Sequence, residues 1–434
     1  MRDRLFVLAA LVAVASMLAP VSAGAAGPDG PLSPGIPGDH LDTPPSGPLG
    51  NTGGDDSGAA SGLAGMANQL AAEFAVSVEV VLARLRHQEA VAPMIAKWRQ
   101  QHPDAFGGAY HADGFVARTT VRWVGQAPAA IVAEIEQSGL AIGLDATATA
   151  SQAALVAKTQ AIAQALHDAG ASDFVVAPNI RTQVIDVTLG VADETASSAD
   201  ALERTVRKLE TSTIGAGISR VTEEPFTPDT AQGGIAASTN SSGSGVACTF
   251  SFGVRSGSTY GLLAAGHCAD TLYYVDPATS RVSSLTLREE YEGYYGDFAW
   301  YSYSGTVQPK FYAGSGTSNL RTVTSVKAAS SIAIGDYYCK YGRASNRSGC
   351  SNVKYTDVCY GDGGSYLVCS QVRMRSVYGA RGDSGGPWYS GTQAVGVNTG
   401  RFGNIGSTGT TNSEHAFTPA SLAARELRVQ ILTR

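Results

Sequence analysis

No cysteine precedes Cys248, although the 434-residue chain holds six. The N-terminal half therefore has no disulfide framework, while an even count confined to the rest reads as bridges in an exported protein. Long apolar runs are missing after residue 19. A membrane-spanning helix needs roughly 20 apolar residues, so no membrane partner is expected. Basic clusters of the kind that grip nucleic acid are also missing, which excludes that partner class. No Cys, His, Asp or Glu grouping has metal-ligand spacing and no glycine-rich loop suits a nucleotide, so no metal and no cofactor is expected. Histidine is sparse. Seven occur, and only His267 and His415 lie in the cysteine-bearing part.

What is present divides the chain. Arg2 and Arg4, an apolar stretch over residues 5–19 and Ala23-Gly24-Ala25 read as a secretory signal at 1–25. Residues 26–61 are rich in Gly, Pro, Ser and Asp, as in Pro44-Pro45-Ser46-Gly47-Pro48, and read as a flexible leader. Residues 62–230 read as an α+β region. Ser77 caps a helix running to Gln101, Asp113-Gly114 turns a hairpin, a second helix runs from Ser151 toward Gly170, and another covers residues 198–210. Strands fall at 174–177 and 184–189. The histidines of this region, His87, His102, His111 and His167, are scattered and read as surface or ordinary helix positions. Residues 225–244 form a polar linker. Charge changes sign across it: residues 1–234 carry a net −11 and residues 235–434 a net +5, which favours association of the two parts.

Beyond residue 246 short β-rich runs alternate with Gly/Ser/Asn turns, the pattern of an all-β barrel or sandwich. A C-terminal helix is expected from a Thr418 cap and Pro419 through residues 422–432.

Within that β region stands Gly382-Asp383-Ser384-Gly385-Gly386-Pro387. A serine hydroxyl needs a base and an oxyanion site to act as a nucleophile, and small neighbours let backbone N–H groups converge. His267, in Ala265-Gly266-His267-Cys268 at the end of an apolar strand, is the candidate base. His415 sits in a polar stretch and reads as a surface residue. Asp297, in Gly296-Asp297-Phe298-Ala299-Trp300, has apolar followers that bury it, and a buried carboxylate needs a partner such as an imidazole N–H. Asp270, Asp276, Asp336 and Asp357 have turn-like surroundings and read as capping or exposed. Gly382–Gly386 also fits the G-x-S-x-G pattern of α/β-hydrolases, but that fold needs an acid and then a histidine after the serine, and none occur in that order. The order His267, Asp297, Ser384 is the chymotrypsin-like one.

Together these motifs resemble the bacterial chymotrypsin-like serine proteases of the streptogrisin and alpha-lytic protease type. The resemblance implies an all-β catalytic domain at 231–434, a double six-stranded antiparallel β-barrel with a short C-terminal helix, starting near Gly233-Gly234-Ile235. It makes residues 62–230 a pro-region that assists folding and then inhibits the active site. It implies a secreted serine endopeptidase, monomeric when mature, acting on protein or peptide substrates. Ser384 would be the nucleophile, His267 the base and Asp297 its orienting carboxylate, with the Gly382 and Ser384 N–H groups as the oxyanion hole. The resemblance also implies Cys248–Cys268 and Cys339–Cys350 bridges. Cys359 and Cys369 flank a turn-rich tip and are paired with each other. The family's bridge beside the substrate pocket has no cysteines here.

Three positions depart from the family. Ala264 stands where a threonine is usual, Asn398 where a serine is usual, and Lys340 where an arginine is usual; Lys340 is expected to pair with Asp383. Tyr378, Gly379, Asn398, Thr399 and Gly400 would line the substrate pocket. No acid stands near Tyr378 and Gly379, which argues against cleavage after Lys or Arg. An apolar or aromatic residue is the leading expectation by analogy with fold-mates, small residues come next, and glutamate would need cationic or histidine pocket groups that the sequence does not pick out. The alternative to an enzyme is a non-catalytic binding protein on a degenerate protease fold.

Overall fold

Short strands with one buried face dominate the chain after residue 235. The computed structural model describes residues 56–171, 173–190, 196–221, 227–228, 235–243, 247–276, 280–314, 319–361, 366–402 and 410–434. The expected signal, the leader up to residue 55, Gly233-Gly234 and the tip at 362–365 lie outside the described residues.

The N-terminal region is α+β. Ser77 caps the helix Val78–Gln101 by accepting from the Val80 N–H, and Ser151 caps Gln152–Asp168 through the Ala154 N–H. The hairpin around Asp113-Gly114 joins Phe106–His111 to Thr119–Trp123, which runs parallel to Ile142–Asp145. Phe174–Asn179 pairs antiparallel with Val184–Gly190, and that strand pairs parallel with Ala216–Val221. Two helices were not legible. Ala129–Ser138 starts at Pro128 without a side-chain cap and buries only Ile131 and Ile135. Asp56–Phe74 begins inside the stretch read as leader. Its Met66, Ala67 and Leu70 are fully buried in one cluster with Tyr337, Cys339 and Tyr389. Burial of a large apolar side chain stabilises by about 1.5–3 kcal/mol, enough to order a weakly amphipathic helix.

The C-terminal part is all-β. Six strands, Tyr337–Gly342, Pro387–Ser390, Gln393–Phe402, Thr410–Pro419, Leu367–Ala380 and Arg347–Gly361, pair in that order, and the first also pairs with the last, closing a barrel. Tyr338, Met374, Trp388 and Phe417 belong to its core. Ahead of it lie a five-stranded sheet and a four-stranded sheet, with Phe250, Leu262, Leu272 and Tyr301 in the cluster beside them. The C-terminal helix is shorter than expected, Ala420–Glu426, with no side-chain cap. The Thr418 hydroxyl is engaged by Asp297 instead, Arg428 takes a φ of 52°, and Ile431 pairs with Val254 as a strand.

The two regions share a sheet. Val175 and Val176 pair with Tyr360 and Cys359, at the end of the long strand Arg347–Gly361 that lies beyond its pairing with Tyr337–Gly342. Charged contacts cross the boundary in both senses. Glu89 meets Lys327 at 3.2 Å, whereas Arg99 meets Asp357, read as a turn residue, at 3.2 Å. The surface reading of His111 is corrected at the boundary, while His87 is a helix position and Asp336 caps by accepting the Ala333 N–H at 2.9 Å. His87, His111 and Asp336 are all buried. His111 Nε2 lies 2.9 Å from Asp336, and Thr119 Oγ1 lies 2.8 Å from both His111 Nδ1 and His87 Nε2. Paired burial of polar groups of this kind leaves no periodicity in a sequence.

Candidate active site

His267 follows the strand Thr259–Ala264, and Asp297 lies on Gly296–Ser302, its antiparallel neighbour. The Cys248–Cys268 bridge fastens the chain directly after His267. Gly266 is required there: a Cβ would run into the Tyr291 carbonyl and come within 3.0 Å of Asp297 Oδ1. That carboxylate accepts twice, from the His267 backbone N–H at 3.0 Å and from the ring Nδ1 at 2.8 Å. Asp297 is fully buried. With Nδ1–H committed to Asp297, Nε2 is left as the basic nitrogen, 3.0 Å from Ser384 Oγ. The structure thus brings His267, Asp297 and Ser384 together from three separate segments.

Ser384 is held by its turn. Its Oγ also lies 3.1 Å from the Thr399 carbonyl, the Gly385 N–H donates to the Asn398 carbonyl at 2.6 Å, and the Ser384 carbonyl accepts from Thr249 N–H at 2.7 Å. Gly382 has a φ of 108°, which a side chain would strain. Among the described residues no group takes its N–H, while its carbonyl accepts from Thr249 Oγ1 at 2.9 Å. Lys340 and Asp383 form a buried ion pair at 3.0 Å, and Asp383 also accepts the Ser345 and Ala380 N–H groups. This fixes the loop on which Gly382 and Ser384 stand.

The remaining sequence candidates scatter in role. The Asn398 amide is engaged by groups other than Asp297. Its Nδ2 donates to the Asp383 carbonyl, and its Oδ1 accepts from Trp388 Nε1 at 3.0 Å. Thr418 contacts the carboxylate residue instead, bonding both its N–H and its carbonyl. Gln371 bridges Thr418 and Thr399. Tyr378 stacks under the Arg347 guanidinium, 4.1 Å from the ring centre, and Gly400 pairs with Pro228. Ala264 is fully buried in the core beside the Cys248–Cys268 bridge. The bridges Cys339–Cys350 and Cys359–Cys369 are also formed. His415 is corrected: it lies on the strand Thr410–Pro419, fully buried, with Nδ1 3.4 Å from Asn398 Oδ1. Thr249, Gln371 and Thr418 were missed, because each acts through backbone or a neighbour across the fold. Among the described residues no group of three or more His, Cys, Asp or Glu side chains is placed to hold a metal ion.

No protein-family model matches the chain. Streptogrisin-C of Streptomyces griseus is 28% identical over 197 residues, which is 45% of this chain and 40% of that protein. The chain thus spans about two fifths of that relative's length. Among solved structures, Thermobifida fusca protease A is 27% identical with a TM-score of 0.37, over 46% of this chain and 98% of that one. Cellulomonas bogoriensis chymotrypsin is 23% identical with a TM-score of 0.36, over 46% and 98%. Over nearly half its length, the chain is similar to the bacterial chymotrypsin-like serine proteases.

Proposed function

We propose that the chain is the precursor of a secreted serine endopeptidase. The observation that carries this reading is one side chain, His267, bonded to Asp297 through Nδ1 and to Ser384 through Nε2. In the proposed reaction Ser384 Oγ attacks the scissile carbonyl carbon as His267 takes its proton. The carbonyl oxygen becomes an oxyanion between the Gly382 and Ser384 N–H groups, each worth roughly 3–4 kcal/mol to the transition state. Collapse breaks the C–N bond, and His267 returns the proton to the leaving amine. Water, deprotonated by the same imidazole, then releases the acyl group from Ser384. Asp297 stays a carboxylate throughout and stabilises the imidazolium.

Residues 62–230, with the helix from Asp56, act in this reading as the pro-region. Support comes from the shared sheet at Val175 and Val176. More comes from Thr227–Pro228, which pairs antiparallel with Gly400 and Arg401. That edge is where the resemblance places a bound substrate, so a strand there blocks access until it is cut. Pre-formed strands also help a β-rich domain whose distant contacts close slowly. Three bridges suit an oxidising exterior, and among the described residues no helix is long and apolar enough to cross a membrane. The test is hydrolysis of a denatured protein by the secreted chain beside its Ser384→Ala variant. We expect cleavage by the former and a loss of more than about 10⁴-fold in the latter. A folded, pro-free chain that cleaves nothing is the binding protein on a degenerate fold instead.

A further inference from the structure

Gln371 stands fully buried on the strand Leu367–Ala380. Its carboxamide makes three hydrogen bonds. The Cys369 carbonyl, 3.3 Å away, fixes which end is nitrogen, because a carbonyl only accepts. Nε2 then also donates to Thr418 Oγ1 at 2.8 Å, and Oε1 accepts from Thr399 Oγ1 at 2.9 Å. The Thr418 hydroxyl is used completely. It accepts the Gln371 and Asp297 N–H groups and gives its own hydrogen to the Asp297 carbonyl at 3.2 Å. One amide thus reaches both sides of the site: the residue that carries the carboxylate, and the residue whose carbonyl meets Ser384 Oγ at 3.1 Å. Both sides need such an anchor. Thr399 is the extra residue of a β-bulge, since Asn398 pairs with Phe417, Gly400 with Ala416, and Thr399 has no counterpart on Thr410–Pro419. A bulge residue leaves the ladder, so its carbonyl is aimed by whatever holds its side chain. On the other side Ser370 takes a φ of 56°. Side chains alternate along a regular strand, and this break lets two successive ones serve the same segment. Ser370 Oγ donates to the Tyr294 carbonyl at 3.0 Å, while Gln371 holds Asp297 through Thr418.

We infer that Gln371 is a positioning residue for peptide-bond hydrolysis: its amide holds the Thr399 bulge and the Asp297 backbone at a fixed separation, and so aims the Ser384 hydrogen at His267. This rests on the endopeptidase reading above. Ser384 Oγ has one hydrogen to give and two acceptors within reach, His267 Nε2 at 3.0 Å and the Thr399 carbonyl at 3.1 Å. Only the bond to Nε2 leads to attack. With the two distances so close, a small movement of the bulge changes the share of molecules in the productive arrangement. His267 is held from its other side by Asp297, whose N–H and carbonyl are both tied to Thr418. Loss of the Gln371 amide therefore loosens both acceptors of the serine hydrogen at once. The hydrogen bonds from Thr399 through Gln371 and Thr418 are all buried, and in such a setting the members of a network polarise and strengthen one another.

The experiment uses the secreted, processed chain, one peptide anilide substrate and a neutral fluorophosphonate that counts competent Ser384. In Gln371→Leu we expect kcat per labelled Ser384 to fall about tenfold or more, with KM within about twofold of the parent. Thr399→Val should also lower kcat. Added to Gln371→Leu it should cost nothing further, because the bond it removes is already gone. Gln371→Glu keeps the shape and tests the role even where Gln371→Leu folds poorly. Its protonated carboxyl still accepts from Thr399 and donates to Thr418, whereas the ionised form only accepts. Burial beside the Asp297 carboxylate raises the pKa of that introduced group. The kcat of Gln371→Glu relative to the parent should therefore be within about threefold at pH 5.5 and fall about tenfold by pH 8.5. A substitution that only weakens the fold lowers Tm and the labelled fraction and leaves this ratio flat. A flat ratio, or a kcat per labelled Ser384 within about twofold of the parent in Gln371→Leu, overturns the inference and leaves the endopeptidase reading standing. Absence of labelling in the parent overturns that reading and the inference with it.

Discussion

Replacing Lys340 by methionine removes one charge from a buried pair and little volume. Both partners are at most 1% exposed, and Lys340 Nζ lies 3.0 Å from Asp383 Oδ2. Deleting one member of a buried pair costs about 3–5 kcal/mol, because the other charge is left uncompensated. Asp383 keeps two donors, the Ser345 and Ala380 N–H groups at 3.0 and 3.1 Å, which places the loss near the lower end, at about 3 kcal/mol. Unfolding entropy of about 2.1 cal/mol/K per residue over roughly 400 residues makes this a fall in Tm of about 4 °C. Asp383→Asn added to Lys340→Met removes the orphaned charge and recovers part of the loss. The assay is thermal unfolding of the secreted full chain in a Ser384→Ala background at pH 8. A Tm within 1 °C of the parent at pH 8 refutes the reasoning.

Asp297→Asn keeps the geometry but reverses the hydrogen bond at His267 Nδ1, and kcat should fall by about 10⁴ with KM little changed. Thr418→Val orphans the Asp297 N–H, and at about 1–3 kcal/mol for a buried unpaired donor kcat should drop roughly tenfold, read by the same peptide assay. Cys359→Ser with Cys369→Ser opens a loop with a sequence separation of 10, which should cost about 2–3 kcal/mol in denaturant unfolding. The His87–Thr119–His111 chain gives the stability of the fold a pH dependence. Burial, then His111 and Arg84, push His87 down to about 4, and burial also lowers His111. Each folded value lies below the ordinary one of 6.5, so this contribution to stability is full above pH 6.5 and is lost as pH falls toward 4. After solvent screening the loss at pH 5 is about 1–2 kcal/mol from His87, so the Ser384→Ala chain should lose about that much more stability between pH 7.5 and pH 5 in denaturant unfolding than its His87→Gln derivative. His87→Gln should flatten that profile.

The sequence disclosed what is local or ordered along the chain. The caps at Ser77 and Ser151, the Asp113-Gly114 turn and the β texture after residue 246 all follow from short-range propensity. The order His267, Asp297, Ser384 could be read because chain order separates folds that share a serine motif. What stayed hidden depends on neighbours far along the chain. His415 looked exposed because the residues before it are polar, yet its strand lies between two others on the barrel floor. Asp336 looked like a turn residue, and its partner His111 is more than 200 positions away. Thr418 looked like a helix cap because nothing local shows that Asp297 competes for its hydroxyl. The helix from Asp56 is ordered by a surface supplied by the opposite end of the chain.

The central claim is that Ser384 is a nucleophile made reactive by His267 and Asp297. Its most direct test is fluorophosphonate labelling of the processed enzyme, followed by peptide mapping. We predict one adduct per molecule, on Ser384, formed at a rate that falls by more than about 10³ in His267→Ala. A folded, pro-free enzyme that takes no label, or takes it on another residue, contradicts the claim.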